Sequence, residues 1–173
     1  MRGKVRAILS AMLAVGVTPL ALVAAAVAST TGRESFEGTI VRDESDNVVS
    51  TLLVAKGVFT GSGRIVEVDN RPGDPKNVTR DNLVFPQGTM HIRSANERPT
   101  MSLNPKTCVI TLRVQQTNHI EGGTRRFRHA SGTFAGTVRA RGVAARNPDR
   151  TCNQQAAPLL EVDLVSARGT LSY

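Results

Sequence analysis

The chain has no tryptophan, one tyrosine and five phenylalanines in 173 residues. Proteins that hold single-stranded nucleic acid stack its bases on aromatic rings. So few rings make nucleic acid the least favoured partner. Cysteine is scarce as well, with Cys108 and Cys152 the only two. Neither lies in a Cys-x-x-Cys or Cys/His cluster, so the ligand spacing of a structural zinc site is missing. His91, His119 and His129 stand alone, without the paired spacing of a zinc site, and read as surface or loop residues. Asp69, Asp74 and Asp81 flank a Pro/Gly loop but do not follow the calcium-loop pattern. Gly61-Ser62-Gly63 lacks the spacing of a nucleophile elbow and reads as a turn or bulge. Asn77-Val78-Thr79 fits a glycosylation acceptor. No cofactor or metal is implied, and the balance leans away from an enzyme.

Long apolar runs are also lacking, with one exception at the start. Arg2, Lys4 and Arg6 precede an apolar stretch from Ala7 to Ala28 that ends in Ala26-Val27-Ala28. A charged start, an apolar middle and a small-x-small end form the pattern of a secretory signal peptide. A membrane anchor is the competing reading, since a spanning helix needs about 20 apolar residues. Pro19 and the alanine-rich end favour cleavage near Ser29. Residues 1–28 are therefore expected to be a signal peptide, and residues 29–173 one secreted domain, large enough for a real core. Nothing after the leader is apolar enough to span a membrane.

The leader holds three of the positive charges, so the formal net charge of +8 falls to a moderate value once it is removed. Two thiols in an oxidising compartment usually pair. A Cys108–Cys152 bridge would close a loop of about 45 residues and stabilise by about 4 kcal/mol on the chain-entropy model. A metal pair or a reactive thiol are the alternatives.

No helical stripe runs through residues 29–173. Short alternating segments dominate, separated by Gly, Pro, Asn and Asp. The pattern predicts strands over 36–41, 48–55, 58–68, 83–85, 89–94, 108–116, 133–143 and from 160 to the end. Asn70 to Pro75 is a loop, because its prolines and glycine do not fit a central strand. Within 108–116, Ile110, Leu112 and Val114 share one face and Thr111, Arg113 and Gln115 the other. About eight evenly spaced strands suggest a sandwich or a barrel, with one face of each strand apolar and the other wet.

A short repeat recurs at Phe36-Glu37-Gly38-Thr39, Phe59-Thr60-Gly61-Ser62 and Phe134-Ala135-Gly136-Thr137. Each glycine shares a strand face with the preceding phenylalanine. A missing side chain there lets a sheet bend or a ring lie over the gap, as closing a small barrel requires. Phe36, Phe59, Phe85 and Phe134 are assigned to the interior. An eight-stranded barrel is about wide enough to be filled by side chains or to hold one small ligand, and both outcomes stay open. Arginine gathers between Arg113 and Arg150, against only Glu121 and Asp149. Arg139 and Arg141 share a face, and Arg126 and Arg128 are placed on the face of another strand. Together they form a candidate basic patch for an anionic wall or membrane polymer, or simply a solvated outer face.

Taken in order, 57–63, 81–89, 104–108, 123 with 132–136, and 167–170 resemble the exported bacterial proteins with an allene oxide cyclase barrel-like domain. The resemblance spans essentially all of residues 29–173. It implies a closed eight-stranded antiparallel barrel of the calycin type, akin to plant allene oxide cyclases and dirigent proteins. Plant cyclases carry a glutamate and an asparagine inside the first strand, followed by Ser-Pro. Here Glu37 is the nearby carboxylate, and the asparagine and the Ser-Pro are absent. Glu37 is thus the weak catalytic candidate that the resemblance offers. The expected function is non-catalytic binding of a small apolar ligand or a partner surface. An isomerase acting at the barrel mouth, or a basic wall-binding protein, are the alternatives.

Overall fold

A computed structural model describes residues 29–173; the expected signal peptide, residues 1–28, lies outside them. Eight antiparallel strands, each paired with its sequence neighbours, close into a barrel when the last meets the first. They are β1 (Thr31–Asp43), β2 (Val48–Gly57), β3 (Gly61–Val68), β4 (Val78–Phe85), β5 (Gly88–Asn104), β6 (Val109–Gly123), β7 (Ser131–Val143) and β8 (Leu160–Ser172). Closure leaves no free sheet edge, so every strand has two partners and aggregation-prone edges vanish. Among the described residues, no helix is long and apolar enough to cross a membrane.

The two ends of the barrel differ. At one end the connections are short: 58–60, 86–87, and 124–130 with its single 3-10 turn at Arg125–Phe127. This end is packed solid. The Phe59 ring meets Phe85 at 4.9 Å and Phe127 at 5.0 Å between centroids, both edge-on. Tyr173 closes over Phe127 at 5.6 Å and donates its hydroxyl to the Val58 carbonyl at 2.9 Å. Edge-to-face rings are favoured over flat stacks because ring edges are positive and faces negative. Glu34 is buried beneath this plug. Its carboxylate accepts the Phe59 amide at 2.8 Å and the Ser35 amide at 3.0 Å, and burial pushes its pKa up.

At the other end lie the longer connections, 69–77 and 144–159. The disulfide Cys108–Cys152 (Cα–Cα 5.3 Å) ties the start of β6 to the 144–159 segment. That segment is also held by main-chain bonds, Ala144 N–H to Cys108 O and Leu159 N–H to Val143 O, and by the Arg146 guanidinium, which donates to the Lys106 carbonyl.

Several strand limits differ from the sequence expectation, each for a local reason. Val58 to Thr60 is a bend and not strand, because Phe59 turns inward to join the plug. β4 begins at Val78, five residues early, because paired Val78 and buried Arg80 continue the ladder. β5 runs on to Asn104 past Pro99. Pairing slips there between Glu97 and Thr100, with Arg98 at φ +48°, a bulge that accommodates a residue with no amide hydrogen. The pair Arg126 and Arg128 does not lie on a strand. The 3-10 turn Arg125–Phe127 occupies that stretch, because Phe127 is pulled fully inside.

Candidate functional site

Strand alternation decides which side chains enter the barrel. Phe36, Phe59, Phe85 and Phe134 are all buried, as expected, along with Phe127, whose arginine neighbours gave no such signal. In the Phe-x-Gly repeats the gaps are filled differently. A Cβ on Gly61 would strike the Phe59 ring at 2.8 Å, whereas one on Gly136 would meet the Asn118 amide at 2.4 Å and one on Gly38 would meet Ile65 at 2.8 Å. Only one of the three glycines makes room for its own ring.

Above the aromatic plug the barrel is hollow. A cavity of about 940 Å³ opens at the end bearing the longer loops. That is near the upper end of the volumes, roughly 300–1,000 Å³, that hold small molecules. Its floor is apolar, with Phe36, Phe134, Leu53, Leu83 and Val165. The Phe36 and Phe134 rings lie 5.2 Å apart, tilted at 54°. The β5–β6 wall is polar, made of Ser94, Asn96, Gln116 and Asn118. Gln116 donates its amide to Asn96 Oδ1 at 2.8 Å. Ser94 and Asn118 are themselves buried.

Charge collects at the mouth. Arg42 on β1 donates from Nη1 to Glu67 Oε2 at 3.1 Å and from Nη2 to Glu67 Oε1. Its Nε stands 3.5 Å from Asp163 Oδ2 and its Nη1 3.7 Å from Asp46. Asp81 on β4 lies opposite Glu67 in the β3–β4 register. Burial, and then the charge of Glu67, push its carboxyl up to about 6. Burial raises Asp163 as well, against the pull of Arg42. Glu161 is raised by burial and by Asp163 beside it. Asp163 is only 6% exposed, and its Oδ1 has no hydrogen-bond partner among the described residues. Nevertheless, among the described residues no group of three His, Cys, Asp or Glu side chains is disposed to hold a metal ion.

The other expected site residues fall elsewhere. Glu37 is exposed on the outer face of β1 and does not line the cavity. The register places the cavity-facing residues of β1 at Phe36, Ile40 and Arg42, one position out of step with Glu37. The four arginines do not form one patch. Arg126 sits at the closed end, its guanidinium 5.0 Å from the Tyr173 ring and bonded to the Tyr173 hydroxyl at 3.1 Å. Arg139 and Arg141 lie on the outer face of β7 towards the open end, where Arg139 pairs directly with Arg113 of β6. Beside them, Leu164 and Leu52 are each more than half exposed and flank Thr39 across β8–β1–β2. The mouth carboxylates were missed because period-two patterning marks a charged residue as outward-facing. Only barrel closure shows that Asp81 and Asp163 share a face with Leu83 and Val165.

The chain matches no family model, no curated protein and no solved structure. The family resemblance read from the sequence therefore carries no residue roles, and the site stands on its own geometry.

Proposed function

We propose that the protein is a secreted barrel that binds a small, largely apolar molecule in its cavity without transforming it. The observation that carries this reading is the 940 Å³ cavity, apolar at its floor and lined by amides along one wall. Burying apolar ligand surface against such a floor contributes about 25 cal/mol per Å², while a few fixed amides orient the ligand. Entry needs no strand separation, because the mouth opens between the loops at the end opposite the aromatic plug.

The test is to expose the purified protein to lipid and polyketide extracts and identify what is retained by mass spectrometry. Retention of one compound class near one per chain is expected, and Val138→Trp, which fills the cavity from β7, should abolish it. Equal retention by that variant would place the ligand outside the barrel and end this reading.

A second reading, isomerase or cyclase chemistry at the mouth, is favoured by one observation. Asp81 sits in the cavity wall with its carboxyl pushed up to about 6, where an acid can exchange a proton near neutral pH. Conversion of the retained compound by the native chain but not by Asp81→Asn would establish it. Recovery of the compound unchanged from both would remove it.

A further inference from the structure

The mouth is unevenly charged. Among the described residues, Arg42 is the only cation lining the cavity rim besides Arg80, and Arg80 is already held by Asp74 at 2.6 Å and Glu121 at 2.8 Å. Around Arg42 stand Glu67 and Asp69 on β3 and its end, Asp81 on β4, and Glu161 and Asp163 on β8. The cavity-facing positions of β5 and β6 supply Ser94, Asn96, Gln116 and Asn118, and those of β7 supply Phe134 and Val138, none of them charged at any ordinary pH. Arg42 is committed to Glu67 by two hydrogen bonds and reaches Asp163 with one nitrogen only. Asp163 lines the cavity, and its Oδ1 is buried beside the Glu161 carboxyl with no hydrogen-bond partner among the described residues. A buried carboxylate oxygen without a donor carries an uncompensated desolvation cost. It is also the point where an incoming N–H would gain most.

Resting on the binding function proposed above, we infer that the cavity selects an amphiphile bearing an organic cation, an ammonium or guanidinium head, whose nitrogen docks against Asp163 and Asp81 while its apolar body lies on the Phe36–Phe134 floor. A metal ion does not fit the same chemistry, because the carboxylates do not converge on a ligand shell. The lost donor at Asp163, the excess of acid over base at the rim and the apolar depth beneath it are met together by one molecule with a charged end. Binding a cation favours the ionised carboxylates. Affinity therefore rises with pH as Asp81, Glu161 and Asp163 lose protons, and binding releases protons.

The experiment compares three probes of one chain length, dodecylamine, dodecanol and dodecanoate. Each is kept below its micelle concentration and titrated against the neutral fluorophore N-phenyl-1-naphthylamine in the cavity. At about pH 7.5 the amine should displace the fluorophore at least about tenfold more effectively than the alcohol, equivalent to about 1.4 kcal/mol, with dodecanoate weakest. The advantage should shrink as the pH falls through about 6, where Asp81 takes up its proton. Asp163→Asn should remove most of it while leaving dodecanol binding intact, which also shows that the variant folds. Should Asp163→Asn not fold, Asp81→Asn gives the same comparison. Equal displacement by all three heads, or an amine advantage that survives in the folded variants, would overturn the inference and leave the binding function standing. No displacement by any probe would instead overturn the binding function itself.

Discussion

Asp81 illustrates how one buried side chain couples the cavity to pH. Its folded pKa, pushed up to about 6 from an ordinary 3.8, means that the folded chain holds a proton that the unfolded chain releases. The resulting penalty is absent below about pH 4, grows as pH rises from about 4 to 6, and stays constant above that. Asp81→Asn should therefore stabilise the protein by up to about 3 kcal/mol at neutral pH and leave it unchanged near pH 4. Urea unfolding at both pH values checks this. A gain that does not shrink in acid would mean that the burial of Asp81 is not what raises its pKa. Glu34 is the contrasting case. It too is raised by burial, but two backbone amides hold its charge at the closed end, so it serves the bend at Phe59 and not a ligand.

At the scale of strands, alternation read correctly on β7 but inverted on β8, where Leu160 and Leu164 alternate with Glu161 and Asp163 yet the leucines are half exposed and Asp163 is buried. The inward set Phe134, Val138 and Ala140 and the outward set Thr137, Arg139 and Arg141 on β7 fall as the pattern requires. The second half of β5 was not legible, because Asn96, Glu97, Arg98 and Pro99 carry turn chemistry and are kept in the ladder only by pairing with β6. Pairing also creates a conflict that the strands do not show separately: Arg113 and Arg139 face each other directly on the outer surface. Among the described residues, neither makes a salt bridge. Like charges opposite one another destabilise by a few tenths of a kcal/mol, so Arg139→Thr should raise the melting temperature slightly at low salt. The gain should fade at about 0.5 M salt, where the screening length is only a few ångströms. A destabilised variant would show instead that the arginine stem packs usefully against its neighbours.

At the scale of the whole molecule, the disulfide clips the longest connection to the barrel. Cys108 is buried and Cys152 lies across the mouth-side loop. Replacing both by serine should cost about 2–4 kcal/mol, through greater freedom of the unfolded chain. Chemical denaturation of the oxidised and double-serine proteins measures it. Because the clip holds 144–159 and not the cavity floor, a folded double-serine protein should still bind the neutral fluorophore. Loss of that binding would show that the loop shapes the mouth.

The residue pattern alone was enough for an all-β domain of eight strands, for inward phenylalanines and for the pairing of two cysteines, because each rests on period-two alternation or on there being only one partner available. Which carboxylates meet was decided only by closure. Asp81, Glu67, Glu161 and Asp163 are spread over almost a hundred residues, and each by itself looks like an ordinary wet-face charge. The register of β3 on β4 and of β1 on β8 turns them inward around Arg42, leaves Glu37 outside and separates Arg126 from Arg139. No local pattern carries that information, because strand register is a property of two distant segments at once.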